Sequence, residues 1–220
     1  MSGPLRFSVR QVVSAPTENQ FPGAVRQVGL LAELRMADAE EARSYLLGAF
    51  RDGTFNRLHN TVRIAQADIR WLRALRVLLW KLGSKSWIYR EGARNVWVIE
   101  TTCRLRPGRD LHDVRGQVCF ARGYFDAEGG VPTRLADRFY IQIAQKNRAD
   151  LDQVRKILVY LGVRCGKPHN PSTRVDPDYW RFYVLTGSHR DFIRRVGSWH
   201  PRKRPLLEAR LKSLSWKQSN

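Results

Sequence analysis

The stretch IAQADIRWLRALRVLLWKLG, residues 64–83, returns without a gap as IAQKNRADLDQVRKILVYLG, residues 143–162. Identities fall at Ile64/Ile143, Ala65/Ala144, Gln66/Gln145, Leu72/Leu151, Arg76/Arg155, Leu79/Leu158, Leu82/Leu161 and Gly83/Gly162. Matching leucines alone would fit two unrelated amphipathic helices. The shared IAQ entry and LG exit argue instead for a duplication, and a duplicated chain builds one supersecondary unit twice.

Each copy reads in the same order. An apolar helix is predicted at residues 40–50 (EEARSYLLGAF) and at 117–129 (QVCFARGYFDAEG). A β pair follows, TFNRL with TVRIAQ in the first copy and GGVPTRL with RFYIQIAQ in the second. Asp68 and Asn147 are N-cap candidates for the next helix, whose first copy carries Ile69, Leu72, Leu75, Leu79 and Leu82 close to helical period. Gly83 and Gly162 suit the helix C-terminus, where a left-handed residue is wanted. A second β pair comes next: SWIYR with NVWVIET, then the stretch before His169 with YWRFYVLT. The predicted class is α+β with two αββαββ repeats. Residues 36–104 form the first repeat, 105–113 a linker, and 114–220 the second repeat, with SHRDFIRRVG and RKRPLLEARLKSL as further helices. Residues 1–35 show no clear period and read as an irregular extension or extra strands.

Charge narrows the partners. Lys and Arg number 39 against 20 Asp and Glu, a net charge of +19, which repels itself unless a polyanion is met. Nucleic acid is the commonest such partner; an acidic membrane surface, or basicity that only aids solubility, is the blander explanation. Cys103, Cys119 and Cys165 show no CxxC spacing, which disfavours a disulfide framework and fits a reducing compartment. Cys165 and His169 alone fall short of a zinc site. With no apolar signal core and no spanning stretch, the expectation is an intracellular, cytoplasmic protein without a membrane partner, an organellar host remaining open.

Against this basic background the second copy ends its first helix with FARGYFDAEGG, placing Asp126 and Glu128 among glycines. The first copy has LLGAFRDG, ending on Asp52 and Gly53. Gly48, Ala49, Ala121 and Gly123 lack bulk, so two such helices can cross closely. Side by side, their C-terminal ends would bring Asp52 and Glu128 together. Mutual repulsion, aggravated by the helix dipole, would then favour a divalent cation, and oxygen ligands suit Mg²⁺. Solvated turn and capping acids are the simpler alternative.

ARGYFDAEG, residues 121–129, resembles the nine-residue signature of the LAGLIDADG homing endonucleases. Gly123 falls at its small third position, Asp126 at the sixth, Glu128 at the acidic eighth and Gly129 at the last. IQIAQK with its following helix, and the terminal IRRVGSWHPRKRPLLEARL, are similar to the family too, so the resemblance spans most of residues 40–214. The first motif is irregular. Gly48 precedes Asp52 by four positions whereas Gly123 precedes Glu128 by five; alignment on the acid places Asp52 eighth, and alignment on the glycine places Gly53 there.

The resemblance implies a single-chain pseudo-dimer whose sheets form a saddle on double-stranded DNA. It implies hydrolysis of both strands with Mg²⁺, or Mn²⁺ in its place, and staggered ends. Asp52 and Glu128 would be metal ligands, Gln66 and Gln145 would stand near the attacking water, and Lys203 would be the cation beside the phosphate. Arg70 and Arg148, one position out of register between the copies, come next for that role. Candidates for DNA contacts are Arg57, Arg63, Lys85, Arg94, Arg134, Arg138, Gln142, Lys167, Arg174 and Arg181, joined by Arg70 and Arg148. Alternation turns half of any strand set away from DNA. A monomer is expected. The rival reading is a catalytically weak DNA- or RNA-binding protein of the same fold, a maturase acting on intron RNA or a regulator.

Overall fold

The computed structural model describes residues 24–93, 95–105, 111, 113–134 and 137–219. Helix α1 (Ala24–Met36) comes first, then the two repeats. The first contains α2 (Ala39–Ala49), a 3-10 turn (Phe50–Asp52), β1 (Thr54–Asn56), β2 (Thr61–Gln66), α3 (Ile69–Lys81), β3 (Ser86–Arg90) and β4 (Trp97–Thr101). The second contains α4 (Val114–Glu128), β5 (Gly129–Gly130), β6 (Gln142–Gln145), α5 (Arg148–Tyr160) and β7 (Trp180–Tyr183), followed by α6 (His189–Arg195) and α7 (Lys203–Ser219).

Local chemistry explains the helix ends. Asp38 caps α2 through a reciprocal box with Glu41, the two backbone N–H groups donating over 2.8 and 3.1 Å. Asp68 and Asn147 cap α3 and α5 as the sequence leads one to expect. Gly83 and Gly162 take φ of 67° and 78°, the left-handed region that favours glycine. The closing bonds match: Ser84 N donates to Leu79 O and Val163 N to Leu158 O, equivalent positions in the two copies.

Both sheets are antiparallel. The first has order β1-β2-β4-β3 and the second β5-β6-β7. Register repeats as well: Gln66 faces Trp97 across β2 and β4, and Gln145 faces Trp180 across β6 and β7. Two expectations are corrected. The expected GGVPTRL strand shrinks to Gly129–Gly130, and the strand before His169 becomes two isolated bridges, Cys165 to Val184 and His169 to Arg181. Proline at 132 removes a ladder donor from the first. The extension, expected to be irregular or stranded, contains α1, which buries Leu30 and Leu34 in the first core; residues 1–23 lie outside the described residues.

Each sheet lies over its own apolar core. Between the cores, α2 and α4 pack backbone to backbone and cross-feed them, Cys119 of α4 joining the first core and Leu47 of α2 the second. A Cβ added to Gly48 would come within 2.1 Å of Phe120 O, and one added to Gly123 within 2.0 Å of Tyr45 O. Among the described residues, no helix is long and apolar enough to cross a membrane.

Candidate active site and nucleic-acid faces

The helix crossing settles the alignment of the irregular first motif. Gly48 meets Phe120, Gly123 and Tyr124, while Gly123 meets Tyr45 and Ala49, so Gly48 and Gly123 are the equivalent pair. Their offset is 75 (123 minus 48). In the strands the offset differs. Thr54 pairs with Arg63, just before Ile64, and Gly130 pairs with Gln142, just before Ile143, an offset of 76 (130 minus 54). One residue is therefore missing between Gly48 and Thr54. The 3-10 turn Phe50–Asp52 absorbs the difference. Five α-helical steps from Gly123 to Glu128 rise about 7.5 Å, and one α-helical plus three 3-10 steps from Gly48 to Asp52 also rise about 7.5 Å. The first copy thus reaches the depth of the second with one residue fewer, and Asp52 stands opposite Glu128.

Each acid is braced by the glutamine that the duplication predicts. Gln66 Nε2 donates to Asp52 Oδ2 at 3.3 Å, and Gln145 Nε2 donates to Glu128 Oε1 at 2.5 Å. Lys146 N donates to Gln145 Oε1 at 2.7 Å, which fixes that amide's orientation. Burial raises the Glu128 carboxyl and the neighbouring Asp52 charge raises it further, to about 7, against the Gln145 bond and the Lys203 charge. Asp52 is also raised, by burial, with Gln66 and Lys203 opposing.

Lys203 opens α7, at the end of the segment that leads into that helix. It is 3% exposed, and its Nζ donates to Phe125 O and Asp126 O, both at 2.8 Å, at the carbonyl end of α4. Burial lowers it to about 8, although the charges of Asp126, Glu128 and Asp52 pull the other way. Asp126 anchors that segment. It is 1% exposed and accepts from Tyr45 Oη at 2.7 Å, Trp199 N at 2.8 Å and Ser198 Oγ. Trp71 Nε1 donates on to Tyr45 Oη at 3.1 Å. Sequence reasoning located Asp126 but missed this network, whose signal was an acid directly after the apolar pair Tyr124 and Phe125.

A pH experiment isolates Glu128. Its folded value lies above the ordinary carboxylate range, so its contribution to stability is full at low pH and is lost as pH rises through about 7. His200, lowered by burial to about 3, acts in the opposite sense over the acid range, so the comparison must be between variants. In chelator-containing buffer, Glu128→Gln is expected to melt close to the parent at pH 4.5 and above it at pH 8. Parallel melting curves across that range would contradict the crowded pair.

The candidate DNA residues separate by environment. Arg57, Lys85, Arg134, Arg138, Lys167 and Arg174 are exposed, and Arg94 lies outside the described residues. Arg70 is bound twice by its own cap, Nε and Nη2 to Asp68 at 2.9 and 2.7 Å. Arg148 packs over the Trp180 ring at 4.2 Å and pairs with Asp152 at 3.6 Å. The cores fix which strand positions turn outward. Ile64 and Ile99 face the first core, and Ile143 and Phe182 the second. The alternate positions, with Arg63 and Glu100 on one sheet and Gln142, Arg181 and Tyr183 on the other, occupy the opposite faces. Among the described residues, no group of three or more His, Cys, Asp or Glu is placed to hold a metal.

The fold and this duplicated acid-bearing helix crossing define a class. The LAGLIDADG-like domain family matches residues 116–196. The match covers the second repeat, and the described chain has the LAGLIDADG fold. Structures of the homing endonuclease I-DmoI are similar: mesophilic variants share 19% identity over 79% of this chain and 100% of that one, with a TM-score of 0.58. I-DmoI in complex with DNA and Mn shares 18% over 73% and 98%, with a TM-score of 0.54. Full-length DUF199/WhiA from Thermatoga maritima shares 17% over 86% of this chain and 66% of that one, with a TM-score of 0.63. No curated protein matches the sequence.

Proposed function

We propose that this protein is a site-specific DNA endonuclease of the homing type, cutting both strands of a duplex with a divalent metal and leaving staggered ends. The observation that carries the reading is the meeting of Asp52 and Glu128, 76 positions apart in sequence, each held by a repeat-matched glutamine and both within range of buried Lys203. I-DmoI, of similar fold, has been seen with DNA and Mn, with DNA and Ca, and with target DNA and Mg.

The donor set fits such an ion. Two crowded carboxylates are driven toward protonation in the bare protein, and Mg²⁺ or Mn²⁺ commonly needs only one or two protein carboxylates when phosphate oxygens and water complete its shell. Asp52 and Glu128 would hold it. The chemistry it supplies is water activation and stabilisation of the leaving oxygen. Gln66 and Gln145 each donate to one oxygen of their acid, which sets both amides beside the acids, where they would stand near attacking water. Lys203, fixed by two carbonyls, supplies a positive charge that needs no reorganisation when charge builds on phosphate. One chain supplies both acids, so a monomer suffices.

The test is incubation with a randomised duplex library and Mg²⁺, followed by sequencing of the ends. Recurrent cuts on both strands at one site are expected; intact DNA under all metal conditions would overturn the reading. Binding supplies a second measurement. If roughly 6–10 phosphates are contacted, affinity should fall by roughly 10³–10⁵ between about 50 and 200 mM salt. A salt-insensitive complex would count against DNA bound on these basic faces.

One observation favours a second reading, a DNA- or RNA-binding protein of this fold that cuts poorly. The first motif is a residue short, and its acid sits on a 3-10 turn rather than a helix. Metal-dependent nicking of target plasmid and competition by structured RNA separate the two.

A further inference from the structure

The outer faces of the two sheets differ in chemistry at equivalent positions. β2 and β6 correspond through Ile64 and Ile143, and their partners Ile99 and Phe182 bring β4 and β7 into correspondence. Arg63 is then matched by Gln142, Glu100 by Tyr183, and Val98 by Arg181. On the first sheet the centre of the face is acidic and closed. Glu100 is 6% exposed and accepts from Thr61 Oγ1, from Tyr89 Oη at 3.1 Å and from Asn56 Nδ2 at 3.5 Å. Arg63 is drawn into the same cluster, its Nε donating to Tyr89 Oη at 3.1 Å and its Nη2 to Glu91 Oε1 at 2.7 Å. On the second sheet, among the described residues, no carboxylate bonds to Gln142, Arg181 or Tyr183. Arg181 lies 5.4 Å over the Tyr183 ring and donates only a long bond, 3.4 Å, to His169 Nε2. Gln142 donates at 3.4 Å to Tyr179 Oη, and the His169 and Tyr183 rings stack at 6.1 Å.

We propose that the two faces divide the recognition of DNA: the second sheet reads bases strictly through Arg181 and Gln142, while the first sheet, its arginine neutralised by Glu91 and its centre filled by Glu100, tolerates many sequences. This rests on the endonuclease reading above. The physical reason is availability. An arginine reads guanine by forking onto O6 and N7, and glutamine reads adenine through N6 and N7. Arg181 and Gln142 give up only long, weak bonds to do so, and the aromatic rings beside Arg181 hold its plane without consuming its donors. Arg63 would have to leave a 2.7 Å ion pair, and Glu100 repels phosphate and is largely taken up by the three bonds it already accepts. The target half over the second sheet is therefore expected to be rich in required purines, with guanine opposite Arg181. The half over the first sheet is expected to carry few required positions.

The experiment uses the full chain and a duplex library randomised across the whole site, selected for binding with Ca²⁺ and sequenced. Parent, Arg181→Ala, Gln142→Ala and Arg63→Ala are compared, and the base positions whose preference each variant changes locate the two sheets on the DNA. Arg181→Ala is expected to lose about tenfold or more of the discrimination at one guanine while leaving other positions unchanged. Arg63→Ala is expected to leave the sequence preference of the site unchanged. Strict positions that respond to Arg63→Ala, or equal stringency in both halves, would overturn the division while leaving DNA recognition itself intact. Enrichment of no duplex sequence by the parent would overturn the endonuclease reading and the division with it.

Discussion

Replacing Glu128 by glutamine is expected to abolish metal-dependent cleavage while leaving duplex binding intact or tighter. The two effects have separate causes. Loss of a ligand forfeits several kcal/mol of transition-state stabilisation, on the order of a thousand-fold in rate. Removal of a negative charge beside DNA favours phosphate, and it also ends the repulsion with Asp52 that raises the Glu128 carboxyl. Asp52→Asn is expected to cause a loss of the same order, because the 3-10 turn carries Asp52 to the depth that Glu128 reaches on its helix. Single-turnover cleavage of both strands, measured beside a binding titration in Ca²⁺, gives the answer. Rapid nicking of one strand by the Asp52 variant would mean two independent centres instead of one shared site.

The second large effect concerns the helix crossing. A methyl group on Gly48 would meet Phe120 O at 2.1 Å and Tyr124 N at 2.6 Å, and one on Gly123 would meet Tyr45 O at 2.0 Å. These neighbours are backbone atoms of a buried helix pair, so no side chain can swing aside. Gly48→Ala or Gly123→Ala must push α2 and α4 apart, disturbing both cores and the spacing of the acids beyond them. An overpacking cost of about 3 kcal/mol lowers the melting temperature by roughly 6–12 °C in a chain of this size. Gly29, which has open space around it, serves as a control, and Gly29→Ala should melt near the parent. Unchanged melting of the Gly123 variant would show that the crossing can relax.

Each repeat was legible because its signals are local. Helix caps at Asp68 and Asn147, glycines with positive φ at 83 and 162, and the alternation in TVRIAQ, QIAQ and SWIYR all act within a few residues. They fix element type before any tertiary contact forms. Duplication then aligned Gln66 with Gln145, and the structure brings each onto its acid. Local signals failed where context decides. The second repeat's edge strands shortened to a dipeptide and two bridges, although their sequences suggested full partners. Helix α1 formed where no period was apparent, its Leu30 and Leu34 covered by the first core.

By itself, the sequence determined the repeat, the type of most of its helices and strands, the basic charge and Glu128 as a candidate acid, since each of these follows from residue type and short spacing. Tertiary structure alone decided the rest. Whether Asp52 or Gly53 answers to Glu128 depended on how one 3-10 turn makes up for a missing residue, which no alignment of LLGAFRDG with ARGYFDAEG reveals. Which arginines are available depended on long-range partners: Arg63 finds Glu91 across its own sheet, whereas Arg181, among the described residues, finds the Tyr183 ring and a long bond to His169. Asp126, Tyr45, Trp71, Ser198 and Trp199 come from distant parts of the chain, and folding alone assembles them around a carboxylate that must be satisfied once buried.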